Sequence, residues 1–299
     1  MHMIIACAGI GFIVTFVISR TMLQGERKLV VRIKPELQDV QGEKAGTPTI
    51  GGIAFCVGTT VANLATGINP VLLLSMWLFC LIGLWDDVEK THTLNGDGLS
   101  PRTKLLSQLF VSVLVVSTLA VSGNLHTTMF GHNWGVWYGL FAILYLMFFV
   151  NAVNITDGLD GLAGLVSILP LILLCVIGAN PFLYAFIGSL AAFLVFNLKP
   201  AKYFMGDAGS HAIGAVLATT ALMDKTEVVT LIASSALVIE LFSSLVQIIF
   251  IRTLGKKVFS IAPLHHAFEK KGIAERTIVT GYTLLTVLVS LVAYLVYRG

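Results

Sequence analysis

The chain reads as an all-α polytopic membrane protein. Of its 299 residues 56% are hydrophobic and only 12% charged, against roughly 25% charged residues in soluble domains. The apolar residues fall in long continuous runs, without the alternation of a membrane barrel. The charged residues collect in a few short loops. Backbone groups in lipid must find partners within their own segment, so the runs are helices.

About 20 apolar residues cross a bilayer, somewhat fewer where the ends thin it. On that measure ten spans are expected, at about 3–22, 50–67, 69–85, 105–122, 135–151, 159–178, 180–197, 209–223, 228–251 and 277–297. The first begins at Met3 without a basic leader or a cleavage-like motif, and is expected to be retained. Spans two and three are separated by Gly67-Ile68, and spans six and seven by Ala179 with Asn180-Pro181 as the turn, so both pairs are antiparallel hairpins. The size leaves room for one membrane domain over residues 1–299 and no separate soluble domain. A net charge of +3 without a basic run excludes a nucleic-acid partner. Cys7, Cys56, Cys80 and Cys175 lie singly in apolar runs, which suits core thiols and neither disulfides nor zinc.

Ten spans put both termini on one side. Segments 20–49, 86–104, 152–158, 198–208 and 252–276 then share a face and hold 17 of the 19 Lys and Arg residues. By the positive-inside rule that face is cytoplasmic and both termini are outward. Twelve of the 16 acidic residues lie there too, and a thirteenth, Asp160, stands at the same face in the first turn of the sixth span. The chemistry is therefore concentrated at the cytoplasmic boundary. A transporter would instead carry polar groups near the midplane, where Glu240 is the sole carboxylate.

Five segments carry that chemistry. Glu43–Gly52 (EKAGTPTIGG) offers Lys44 and two threonines. Trp85–Lys90 (WDDVEK) places Asp86 and Asp87 side by side at a span's end, where they repel each other and oppose the helix dipole; a divalent cation or an acid–base role would explain them. Lys90, Arg102 and Lys104 follow, and carboxylates followed by cations suit a metal–phosphate clamp. Asn151–Gly164 (NAVNITDGLDGLAG) adds Asn151, Asn154, Asp157, Gly158 and Asp160, with the two carboxylates on one face if helical. Asn197 precedes Phe204–Ser210 (FMGDAGS), where Asp207 is equally a helix cap or a functional carboxylate. Ala262–Gly272 (APLHHAFEKKG) carries His265 and His266, suited to phosphate contact or proton transfer. The surrounding Arg252, Lys256, Lys257, Lys270 and Lys271 suit anionic lipid headgroups.

Together and in this order, the five segments resemble the polyprenyl-phosphate N-acetylhexosamine-1-phosphate transferases, and within them the muramoyl-pentapeptide branch of bacterial peptidoglycan synthesis. The resemblance spans essentially the whole chain, and the APLHH motif separates this branch from its N-acetylglucosamine relatives. It implies transfer of a phospho-sugar from UDP-N-acetylmuramoyl-pentapeptide to undecaprenyl phosphate at the inner face of the bacterial plasma membrane, releasing UMP. It also implies Mg²⁺ on Asp207 with Asp86 and Asp87 close by, and Asp86 as the base acting on the lipid phosphate. Gly158, Asp160, Asn197 and Phe204 match nucleoside positions, with Phe204 as an aromatic face for uracil. Lys44, Lys90, Lys104, Asn154, Asp157, His265 and His266 match further active-site positions. Two departures stand out: Ala267 replaces the usual third histidine, and His211 replaces a usually apolar residue. Trp134, Trp137 and Tyr138 suit an outer interface belt, and the apolar outer surface suits a homodimer.

Overall fold

A computed structural model describes residues 2–24, 46–49, 51–93 and 96–299. Lys44 lies outside the described residues. Within them the chain forms α1 (His2–Gln24), α2 (Gly51–Thr66), α3 (Pro70–His92), α4 (Pro101–Val121), a two-stranded antiparallel hairpin (β1 Thr128–Met129, β2 His132–Asn133), α5 (Val136–Thr156), α6 (Leu162–Gly178), α7 (Pro181–Asn197), α8 (Gly206–Asp224), α9 (Glu227–Ala233), α10 (Ser235–Leu254), α11 (Leu264–Lys270) and α12 (Glu275–Arg298). The protein is an all-α, multi-pass membrane protein. α1, α3, α4, α5, α10 and α12 are each long and apolar enough to cross a membrane. α2, α6 and α7 are apolar but have only 16, 17 and 17 residues, about 24–26 Å at 1.5 Å per residue.

Every run read as a span is helical, but several boundaries move. α3 continues past Trp85 to His92, and α5 continues past Asn151 to Thr156. Asp86 and Asp87 therefore lie inside α3, not at its end, and Asn151 and Asn154 are helical. The run read as 228–251 is interrupted at Ser234, where Ser235 Oγ donates to the Ile232 carbonyl at 2.6 Å. Serine hydroxyls compete in this way with the helical ladder. The hairpin was not expected: two residues per strand are too few to show alternation.

α8 is the hub, packed by α3, α5, α2 and α6. Its small residues allow this, and the helices meet backbone to backbone. A Cβ on Gly83 of α3 would lie 2.1 Å from the Asp207 carbonyl oxygen, so this crossing requires glycine. α1 and α7 pack together on α2, and α12 packs on α9 and α6. Short caps hold the tight turns: the Asn69 side chain accepts from Leu72 N–H, and that of Asn180 from Phe182 N–H, each followed by proline in the first turn. The packing brings the ends of α3 and α5, the starts of α4, α8 and α11, and the 198–205 segment around one cavity.

Candidate active site

The cavity has a volume of about 640 Å³. At its base three carboxylates converge: Asp86, Asp87 and Asp207 each place one oxygen within 4.8 Å of the others. Two ammonium groups sit among them. Lys90 Nζ is 2.7 Å from Asp86 Oδ2, 3.4 Å from Asp87 Oδ1 and 2.8 Å from Asp207 Oδ1. Lys104 Nζ pairs closely with Asp207 Oδ2, lies 3.8 Å from Asp86 Oδ2, and donates to Asn154 Oδ1 at 3.2 Å. With all five groups ionised, the cluster carries one excess negative charge. An oxygen-only donor set with that excess fits a hard divalent cation.

The three carboxylates have different duties. Asp87 Oδ1 accepts from Asp207 N–H and Oδ2 from Ala208 N–H, each at 3.0 Å. Asp87 thus caps α8 from another helix, where the dipole and orphan amides favour an anion. The residue N-terminal to α8, Met205, supplies no side-chain cap. This explains why adjacent carboxylates are tolerated: α3 runs on past them, and one satisfies a neighbouring helix. Asp86 Oδ1 accepts from Leu99 N–H at 2.9 Å, which folds the 96–100 turn over the cluster. Asp207, half-buried at the cavity base, joins both lysines.

α5 forms the opposite wall. Asn154 Nδ2 donates to Ser210 Oγ at 3.0 Å while its oxygen receives Lys104. After α5 the chain turns, so Asp157 and Asp160 do not share a helical face as expected. Asp157 and Gly158 line the cavity, whereas Asp160 points away. Asp160 Oδ2 accepts from Ala201 N–H at 3.0 Å, and Asp160 N–H donates to Glu275 Oε1 at 2.7 Å. Asn197 also stands behind the wall, accepting from Gly161 N–H at 3.1 Å and donating to the Tyr203 carbonyl at 3.0 Å. Both residues tie the 157–161 turn to the segment carrying Phe204, which does line the cavity. Residues 46–49 and the start of α2 clamp that segment through its backbone: Phe204 N–H donates to the Pro48 carbonyl at 2.7 Å, and Gly51 N–H to the Phe204 carbonyl at 2.9 Å.

The two histidines keep their rings in contact, with centroids 4.2 Å apart and planes tilted by 60°, but only one reaches the cavity. His266 lines the cavity, its Nδ1 2.8 Å from Glu269 Oε2. His265 is fully buried behind it, with Nδ1 donating to Glu240 Oε2 at 3.0 Å, while Tyr282 OH bonds Glu240 Oε1. Burial holds the His265 imidazole below its ordinary pKa, against the opposing bond to Glu240. Its Nε2 faces Gly158, where an added Cβ would sit 2.2 Å away. Gly158 is glycine because the imidazole occupies the space of a side chain.

Of the sequence candidates, Asp86, Asp87, Lys90, Lys104, Asn151, Asn154, Asp157, Gly158, Phe204, Asp207 and His266 line the cavity. His265, Asp160 and Asn197 do not. Gln108, Ser210, His211 and Glu240 were not among the candidates, yet each bonds a residue that was, and Tyr282 bonds Glu240 in turn. Only Glu240 and His211 carried a signal, as a lone intramembrane carboxylate and as an unexpected histidine.

Residues 69–225 match the model of glycosyl transferase family 4. The chain is 36% identical over 274 residues to the phospho-N-acetylmuramoyl-pentapeptide-transferase of Thermotoga maritima, covering 89% of this chain and 90% of that one. To the enzyme of the same name from Desulforamulus reducens it is 34% identical over 313 residues, covering 96% and 94%. For Clostridium beijerinckii the identity is 34% over 308 residues, covering 95% and 93%. The membrane fold and the acidic cavity thus sit in a glycosyl transferase of family 4. Within that family, the chain belongs to the phospho-N-acetylmuramoyl-pentapeptide-transferases.

Proposed function

We propose that the chain transfers phospho-N-acetylmuramoyl-pentapeptide from its UDP-linked donor to undecaprenyl phosphate, giving lipid I and UMP in peptidoglycan synthesis. The observation that carries this reading is the grouping of Asp86, Asp87, Asp207, Lys90 and Lys104 in one cavity that also receives Phe204 and His266. Moving a phosphoryl group between two anions needs alignment and charge neutralisation more than covalent help. Mg²⁺, held by Asp207 with Asp86 and Asp87 close by, would neutralise the donor's pyrophosphate oxygens. Lys90 and Lys104 supply fixed positive charge to the same oxygens. Asp86 takes the proton of the acceptor phosphate, whose oxygen bonds the sugar-bearing phosphorus as the bond to UMP breaks. Phe204 offers its ring to uracil, and the Asp157–Gly158 turn borders the same space. His266 contacts phosphate, and His265 holds the turn in place.

The same reading gives ten crossings, both termini outward, and the cavity opening to the cytoplasm of a bacterial cell, supported by the grouping of 17 of 19 basic residues on one face. Undecaprenyl phosphate enters from the lipid side. The exposed aromatic outer surface at Trp134 and Trp137 supports a homodimer, and a single-subunit mass in mild detergent would refute that part. A transporter reading loses its carboxylate, because both oxygens of Glu240 are engaged by His265 and Tyr282.

The test is UMP release by purified protein given undecaprenyl phosphate with UDP-N-acetylmuramoyl-pentapeptide or UDP-N-acetylglucosamine, each with Mg²⁺ and with chelator. Mg²⁺-dependent release with the first donor alone is expected. Release with the second donor alone would move the chain to the N-acetylglucosamine branch, and none with either would sink the reading.

A further inference from the structure

His211 interrupts the small apolar surface of α8 and is fully buried. Its imidazole nevertheless has a partner at each nitrogen: Nδ1 is 2.7 Å from the Asp207 carbonyl oxygen, and Nε2 is 3.0 Å from Gln108 Nε2. The carbonyl can only accept, so Nδ1 carries the proton and Nε2 receives the Gln108 N–H. The next links have the same sense. Asn151 Nδ2 donates to Gln108 Oε1 at 2.8 Å and to the Met147 carbonyl at 2.7 Å. Two backbone carbonyls, one on α5 and one on α8, thus fix the direction of the whole chain.

Lys104 and Gln108 are four residues apart on α4 and therefore share a face. Lys104 bonds the Asp207 carboxylate, and Gln108 reaches the Asp207 carbonyl through His211. Two successive turns of α4 hold the two ends of one residue. We infer that His211 is a positioning residue that locks Asp207 to α4 and so fixes the carboxylate expected to bind the metal. This rests on the proposed function only for the identity of the metal. Partners that orient a metal-binding residue typically change affinity or activity by about 10- to 100-fold when removed. His211→Leu deletes both bonds and leaves one of the two Gln108 N–H groups buried without its acceptor, the other facing Asn151 Oδ1 at 3.4 Å.

The test compares wild type, His211→Leu, Gln108→Leu and the double variant as full-length protein in detergent. Mn²⁺ binding by electron paramagnetic resonance gives a readout independent of turnover, and UMP release gives kcat and donor KM. About a tenfold weaker Mn²⁺ affinity and a similar fall in kcat are expected for His211→Leu, with donor KM within about twofold. Gln108→Leu should move the same way, and the double variant should be no worse than the worse single one, because both break one chain. If His211→Leu does not fold, His211→Asn, which retains a donor near the Nδ1 position but cannot reach Gln108, is read the same way. Less than a twofold change in both Mn²⁺ affinity and kcat, whatever happens to thermal stability, overturns the inference. Wild-type protein that binds Mn²⁺ but releases no UMP would sink the transferase reading and leave the Mn²⁺ comparison to decide this one.

Discussion

Gly158→Ala tests whether His265 acts as the back wall of the 157–161 turn. The new methyl carbon would lie 2.2 Å from His265 Nε2 and 3.1 Å from Cε1 of both His265 and His266. Ordinary contact is about 3.5 Å, so one group must yield by more than about 1 Å. His265 cannot yield cheaply, because Glu240 holds its Nδ1 at 3.0 Å and Tyr282 holds Glu240. The strain should therefore appear as overpacking of about 1–3 kcal/mol, or as displacement of the turn that borders the cavity. Denaturant unfolding in mixed micelles measures the first, and kcat/KM for the UDP-linked donor measures the second, with about tenfold for each 1.4 kcal/mol. The decisive comparison adds His265→Ala, which empties the space the methyl needs. The penalty of Gly158→Ala should then shrink by at least 1 kcal/mol, as expected for residues in contact. A penalty that is the same in both backgrounds, within about 0.5 kcal/mol, would refute the argument.

Three further outcomes follow from the same geometry. Asp87→Ala removes the acceptor of two α8 amides, so it should destabilise the protein by about 1–2 kcal/mol on unfolding, as lost helix caps do; a stability equal to wild type would deny the capping role. Asn197→Ala cuts the tie between the 157–161 turn and the Phe204 segment, leaving a buried amide without its acceptor at a cost of about 1–3 kcal/mol. Steady-state kinetics should then show donor KM raised more than kcat is lowered, and the reverse split would contradict it. The pH dependence of stability isolates His265. Its folded pKa is lowered chiefly by burial, so the unfolded chain binds more protons and stability rises with pH. The His265 contribution is complete above about pH 6.5, the unfolded value, and is lost as pH falls towards the folded value. The thermal midpoint of wild type should drop more between pH 7 and 5 than that of His265→Gln, and parallel curves would rule this out.

The features legible in the linear chain follow from local rules. Continuous apolar runs specify helices, because lipid offers no partner to a backbone amide. The lopsided lysines and arginines group the loops. Adjacent carboxylates such as Asp86 and Asp87 stand out because their charge needs a reason. These signals depend on neighbours in the chain, and they located eleven residues that line the cavity. Other features depended on which backbone lies across from a residue. Asp87 reads as half of an acidic pair, and only the fold shows the first amides of α8 pointing at it. Asn197 and Asp160 read as ligand contacts, yet their hydrogen bonds join two loops behind the wall. His211 had no account in sequence because its partners, the Asp207 carbonyl and Gln108, come from its own helix turn and from a helix 103 residues away. Glu240 read as an isolated charge in the membrane, but its hydrogen bonds come from His265 and Tyr282, 25 and 42 residues away. A buried polar group is costly until it is paired, and only the packing of α4, α8, α10 and α12 decided which pairs form.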